Sequence, residues 1–165
     1  MSTKATSDAI CDWNLLTNDV VWGAGVQHIF GYSPADSNGS NNFWSQHVHP
    51  EDLEKTMQEI NGAIVGTAVT WEADYRFLKA DDSYSHVVDR AFRLRNKKGK
   101  AIRMVGAMQD ISKRKEEENR LKLLESVITN TNDAIIITEI THGAPNPHIS
   151  YINNAYTRMT GYTEA

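Results

Sequence analysis

The clearest pattern along the chain lies between Trp71 and Phe77, where Trp71, Ala73, Tyr75 and Phe77 alternate with Glu72, Asp74 and Arg76. A period of two puts one set of side chains in a core and the other in water, which predicts a half-buried antiparallel strand. A polar turn at Ala80-Asp81-Asp82-Ser83 leads into a second strand over about 85–95, and Asn96-Lys97-Lys98-Gly99 turns into a third over about 101–109. Upstream, Leu53, Met57, Ile60 and Ile64 recur at spacings of three and four, the period of one helix face. Pro50 opens that helix, with His49 near the cap and Glu51 and Asp52 in the first turn, where negative charge suits the helix dipole. Nearer the N-terminus, 10–13 and 20–22 read as short strands around a turn at Thr17-Asn18-Asp19. Val26–Phe30 reads as a helix stopped by Gly31, and the stretch 33–42, rich in Ser, Asn, Asp, Gly and Pro, reads as loop. The sum is an α+β domain with helices on one face of an antiparallel sheet.

From Ile111 the pattern changes. Residues 112–120 are almost entirely polar or charged, then Leu121, Leu124 and Ile128 follow at helical spacing, so 112–130 is predicted as a connecting helix. Its narrow apolar stripe suits either a parallel dimer seam or a single helix lying on its own domain; two heptads do not separate these. An internal repeat frames this helix. Ser7-Asp8-Ala9-Ile10 returns as Asn132-Asp133-Ala134-Ile135, and Phe30-Gly31-Tyr32-Ser33 as Thr160-Gly161-Tyr162-Thr163, roughly 125–130 residues further on. The growth in offset fits the longer loop 141–148 of the second copy. The expected division is a domain at 7–112, a connecting helix at 113–130 and the first part of a second domain at 131–165. The second copy ends soon after its first helix begins, so the sequence is expected to be a piece of a longer protein.

Composition narrows the function classes. Lys and Arg number 17 against 21 Asp and Glu, a net charge of −4, and hydrophobic residues make up 40% of the chain. Mild acidity argues against nucleic-acid binding, which needs a concentrated basic face. The single cysteine, Cys11, excludes an internal disulfide and a thiolate-only metal cage. The longest strongly apolar run, Ala134–Ile137, falls far short of the roughly 20 residues of a spanning helix. The N-terminal segment lacks the apolar centre of a secretory signal, so a cytoplasmic location is expected.

Several stretches together resemble a PAS domain with its C-terminal PAC segment. Phe30-Gly31-Tyr32-Ser33-Pro34 is similar to the end of the first PAS helix, and His49-Pro50-Glu51-Asp52 to the opening of the later helix. Trp71–Phe77, with Tyr75-Arg76, resembles the strand that follows. Asn96–Lys100 with Ile102–Gly106 resembles the last hairpin, and Asp110-Ile111-Ser112-Lys113-Arg114-Lys115 the ending, with Ser in place of the usual Thr. The resemblance covers about 7–115. Residues 127–165, with Tyr151-Ile152-Asn153-Asn154 and Met159-Thr160-Gly161-Tyr162, resemble the first third of a second PAS domain. Two departures stand out: Asp82 replaces the usual turn glycine, and His86 stands where this subgroup often has Trp. The resemblance implies a sheet of about five strands. It also implies a sensory or relay module of a signalling protein, most often a sensor histidine kinase or a diguanylate cyclase.

The chemistry of the residues fits a module that is not itself an enzyme. Neither a phosphoacceptor histidine motif nor a glycine-rich nucleotide loop is present, and no nucleophile–base pair or metal triad emerges. A flavin–cysteine adduct is not expected in the first domain, because residues 33–65 contain no cysteine. Haem or zinc ligation by His28, His47 or His49 is not expected, for want of a third ligand. Trp13, Trp22, Phe30, Tyr75 and Phe77 are candidates to line a small-molecule cavity; filling an ordinary core is the simpler alternative. Arg90, Arg93, Arg95, Lys97, Lys98, Lys100 and Arg103 make the late hairpin basic, which reads mainly as solvated strand faces. Asp110, Ile111 and Ser112 lie where the last strand becomes the exit helix, as candidates for a signal relay or a plain helix cap. Leu121, Leu124 and Ile128 are the candidate dimer contacts. The expected partners are a second copy, an output domain of the same chain and a small-molecule ligand whose identity the sequence does not name.

Overall fold

The computed structural model describes residues 8–40, 42–140 and 147–163. The repeat match at Ser7, most of the loop 141–148 and the last two residues therefore fall outside the described residues. In chain order the elements are β1 (Ala9–Asn14), β2 (Asp19–Trp22), α1 (Gly25–Phe30), α2 (Pro34–Ser37), β3 (Gly39–Ser40), α3 (Asn42–His47), α4 (Pro50–Val65), β4 (Thr70–Leu78), β5 (Tyr84–Arg95), β6 (Ala101–Asp110), α5 (Ser112–Asn130), β7 (Ile136–Glu139), β8 (His148–Ile152) and α6 (Asn154–Thr160). Two compact units result, 1–113 and 114–165.

In the first unit, five strands and the two-residue β3 form an antiparallel sheet in the order β3-β2-β1-β6-β5-β4. The alternation in β4 works as expected: Trp71, Ala73, Tyr75 and Phe77 are buried and Glu72 and Asp74 are exposed. Their side chains join Val26 and Phe30 of α1, Phe43 and Trp44 of α3 and Ile60 of α4 in one core. The turn between β4 and β5 explains the departure at Asp82: the residue takes a left-handed backbone, φ 64°. Asp is among the few side chains besides glycine that tolerate this conformation.

Helix α4 is docked by a specific polar lock. His49 caps it by accepting the Glu51 N–H at 3.2 Å. Asp52 in the first turn accepts the Arg76 backbone N–H at 3.0 Å and its Nε at 2.8 Å, while Arg76 also reaches Glu51. The acidic pair after Pro50 and the arginine after Tyr75 are thus two halves of one contact. The segment 33–42 differs from the loop expectation. It holds α2 and β3, and Asn38 Oδ1 accepts the Trp22 N–H at 2.6 Å. β3 is fixed by its pairing with β2, whereas α2 is closed locally by Ser33, whose hydroxyl and carbonyl accept the Asp36 N–H and whose carbonyl also accepts from Ser37. Arg93 also departs from the solvated reading of the basic hairpin: it is buried and donates to the carbonyls of Ile64 in the last turn of α4 and of Ala68 beyond it. Arg90 and Arg103 pair across strands with Glu72 and Asp12.

The second unit repeats the opening of the first. Gly23 N–H bonds Ile10 O at 2.8 Å, and the corresponding Asn153 N–H bonds Ile135 O at 3.1 Å. Both first helices stop at a left-handed glycine, Gly31 at φ 83° and Gly161 at φ 79°. Asn153 is buried and bonds through both ends of its amide. It accepts from Ile135 and Tyr156 N–H and donates to Ile128 and Asp133 carbonyls.

Candidate functional site

The inward face of the sheet carries a small cavity of about 30 Å³, lined by Cys11, Trp13, Val20, Trp22, Trp44, Ile60, Trp71, Asp89, Ala91 and Met104. All four tryptophans of the chain border it, brought in from β1, β2, α3 and β4. Asp89 is a charged side chain at an inward position of β5, only 5% exposed. A chain of hydrogen bonds ends on it. Trp44 Nε1 donates to Tyr75 Oη at 2.7 Å, and Tyr75 Oη–H donates to Asp89 Oδ2 at 2.7 Å. Burial outweighs that bond and pushes the Asp89 carboxyl up to about 6. Burial, with Asp89 nearby, also pushes the Cys11 thiol and the Tyr75 phenol up, so both stay protonated at neutral pH.

Three polar atoms of the lining residues are buried without a protein hydrogen-bond partner: Trp22 Nε1, Trp71 Nε1 and Asp89 Oδ1. Buried polar groups are nearly always paired, and these three belong to residues of one cavity lining that is otherwise mostly apolar.

Of the aromatic set expected from sequence, Trp13 and Trp22 line the cavity, and Tyr75 supports its floor through Asp89. Phe30 and Phe77 do not line it; they pack on each other at 4.9 Å between ring centres, fully buried. Asp89, Trp44 and Trp71 complete the site. Asp89 was discoverable from parity, since Val87, Asp89 and Ala91 share one face of β5. Trp44 gave no local signal, because its place depends on how α3 folds over the sheet. The histidines serve local packing and caps. His47 Nδ1 lies 2.6 Å from Phe43 O with its ring against Phe43 and Tyr32, and His28 Nδ1 lies 2.9 Å from Ala24 O.

A second cluster sits at the start of α5. Asp110 Oδ1 accepts the Ser112 N–H at 2.8 Å and Oδ2 accepts the Ser85 hydroxyl at 2.8 Å. Ser112 Oγ accepts the His86 N–H at 2.9 Å, and the Ile111 N–H donates to His86 O at 2.8 Å. The bonds to Asp110 draw its carboxyl below the usual carboxylate range against the opposing effect of burial. Ile111 itself is buried at 3% exposure. Farther along α5, Leu121 and Leu124 are exposed and Ile128 is half-buried. Among the described residues no helix is long and apolar enough to cross a membrane.

Residues 19–108 match the family model described as PAS fold, and residues 122–165 match one described as PAS domain. The chain is 28% identical over 88 residues to the methyl sulfide methyltransferase-associated sensor of Methanosarcina acetivorans, covering 53% of this chain and 9% of that protein. It is 28% identical over 96 residues to an uncharacterized protein of Sinorhizobium fredii, 58% of this chain and 11% of the relative. The chain thus spans about a tenth of the curated relatives it matches. Among solved structures, a sensory box histidine kinase/response regulator from Burkholderia thailandensis superposes with TM-score 0.62 at 22% identity, over 73% of this chain and 88% of that one. The N-terminal domain of a diguanylate cyclase with PAS/PAC sensor from Marinobacter aquaeolei gives TM-score 0.58 at 27% identity, over 64% and 95%. With more than half its length matched by the model, and with the five-stranded antiparallel sheet and helices of its structural neighbours, the chain belongs to the PAS fold family of sensor domains found in signalling proteins.

Proposed function

We propose that this chain is a sensory module that passes a ligand-induced conformational bias from its cavity, along β5, into α5 and on to an output domain. In this reading 7–112 is the PAS/PAC domain, 113–130 the connecting helix and 131–165 the first part of a second PAS domain. The output domain is a histidine kinase, the chain acts as a dimer in the cytoplasm, and this segment has no catalytic role of its own. One observation carries the reading. Strand β5 holds Asp89 at the cavity and Ser85 at the α5 junction on the same inward face, roughly 14 Å apart at about 3.4 Å per residue. A shift of β5 at one end is a shift at the other, and Asp110 and Ser112 tie that end to the first turn of the helix. The kinase and cyclase contexts of the structural neighbours, and the sensor among the relatives, support the signalling role.

A ligand-free spacer is the rival reading, favoured by the small cavity volume. Hydrogen exchange at residues 112–116 separates the two. A relay expects Asp89→Asn to change protection there in the native background and to lose that effect once Ser85→Ala has removed the link to Asp110. A spacer with a plain cap expects no effect of Asp89→Asn in either background, and that result overturns the relay.

A further inference from the structure

The sensory reading leaves open what the cavity holds, and the inference here rests on that reading. Across the inward face of the sheet, Trp22, Cys11, Gly106, Ala91 and Trp71 stand opposite one another on β2, β1, β6, β5 and β4. Four strand spacings of about 4.8 Å separate the backbones of the two tryptophans, so their unpaired N–H groups belong to opposite ends of this row. The middle of the row is small. A Cβ built on Gly106 would lie 3.0 Å from Ala91 Cβ and 3.4 Å from Cys11 Sγ, and those two side chains floor the cavity. Asp89 stands two residues from Ala91 on the same face of β5. Its Oδ1 is the unpaired atom of the lining that carries charge.

That charge lacks a countercharge among the described residues. Asp89 is 5% exposed, and its hydrogen bond comes from the neutral Tyr75 phenol. The groups that face it are Cys11 from β1, Tyr75 from β4, Met108 from β6 and Trp44 from α3, none of them cationic. On β5 itself, Arg93 is spent on the carbonyls of Ile64 and Ala68. A buried carboxylate in this position takes either a proton or a cation. Above its titration at about 6, a cation is the remaining choice. The wall suits one, because four indoles border the cavity and the face of a tryptophan ring attracts positive charge more than any other aromatic. A metal ion needs several oxygen ligands, whereas Asp89 is the one carboxylate of the lining. An ammonium group donates N–H and needs one strong acceptor; ring surface and the Cys11 sulfur, a weak acceptor, serve for the rest. A cavity of about 30 Å³ has room for about two non-hydrogen atoms. We infer that the cavity takes a small primary ammonium ion of the size of methylammonium, its nitrogen donating to Asp89 Oδ1 and its methyl group covered by the apolar wall of Val20, Ile60 and Met104.

The test titrates the full chain at pH 8 with methylammonium chloride, with methanol as its neutral isostere and with potassium chloride, at constant ionic strength. Tryptophan fluorescence reports on the cavity, since all four tryptophans line it. Methylammonium is expected to give a saturable change that methanol and potassium do not. Asp89→Asn keeps the shape and removes the charge, and is expected to weaken methylammonium binding at least about tenfold, the scale of a hydrogen bond to a charged group. The native chain at pH 5 is expected to show the same loss, because Asp89 then holds a proton of its own; this measurement serves if the variant does not fold. Equal binding of methanol or of potassium overturns the ligand class, and so does methylammonium binding that survives both Asp89→Asn and pH 5. No saturable change with methylammonium overturns the inference and leaves the sensory reading standing. The Ile111 and Ser112 amides of the isotope-labelled chain, followed in the same titration, isolate the relay. Binding without a response there would sink the relay and keep the ligand class.

Discussion

Asp89 occupies a position where the alternation of β5 calls for an apolar side chain. Its neighbours on that face, Val87 and Ala91, are both buried. The buried charge has one bond, from Tyr75, and faces the protonated Cys11 thiol, so desolvation dominates and raises the carboxyl to about 6. An acid whose pKa is higher folded than unfolded binds more protons in the native state between the two values. Stability from this group is therefore fully present below about pH 4 and is lost as pH rises through 6. Asp89→Asn keeps the shape without the charge. It is expected to raise the melting temperature at pH 8, by an effect on the order of 1–3 kcal/mol, and to change little at pH 4.5. Thermal unfolding at the two pH values checks this, and equal effects at both would show that desolvation of the charge is not the cause. The single residue was legible in sequence only through strand parity, and the adjacent Val88, buried on the opposite face, masks that parity by making a continuous apolar pair. The convergence of Trp22, Trp44 and Trp71 was not legible at all, since no local rule relates residues of β2, α3 and β4.

At the scale of elements, periodicity works where the element is long. The three-strand meander is found within about one residue of the expected bounds, and α5 runs from Ser112 to Asn130 as the polar-to-apolar shift predicts. It fails at α2 and β3, four and two residues long: α2 is a single turn closed by its Ser33 cap, too short to show a period, and β3 is defined by pairing with β2. The contact that seats α4 on β4 was visible only as two separate motifs. Asp52 accepts both the backbone and the guanidinium of Arg76, which holds its carboxyl down at about 2. A carboxyl depressed by folding stabilises above its unfolded pKa and loses that contribution as pH falls toward 2. Asp52→Asn is expected to cost about 1–2 kcal/mol at pH 7, after allowance for the partly exposed pair, and almost nothing near pH 2. Urea unfolding at the two pH values measures it. A loss of the same size in acid would assign the role to shape rather than to the charged lock.

The whole chain places a domain with a closed core before a helix that buries none of its own residues. Leu121 is 67% exposed and Leu124 50%, with Leu123 and Val127 beside them also exposed. Leu121, Leu124 and Ile128 fall at the a, d and a positions of a heptad frame, the pattern by which two parallel helices cover each other's seam. The Lys, Arg and Glu of its first half are good helix formers, but most helical stability comes from packing an apolar face, so cover for the seam is worth more to this helix than to one already seated on a core. Burying each leucine against a second copy contributes on the order of 1.5–3 kcal/mol. The double variant Leu121→Glu, Leu124→Glu is therefore expected to weaken self-association at least about a hundredfold, and sedimentation of the full chain should move from dimer to monomer. The first unit should keep its melting temperature, because its core contains none of these residues. A variant that stays dimeric would place the contact elsewhere, with the outer sheet face the next candidate, where Ile10, Val21, Phe92 and Leu94 are all exposed. A native chain that is monomeric at high concentration would remove the seam and, with it, register change between two helices as the carrier of the signal.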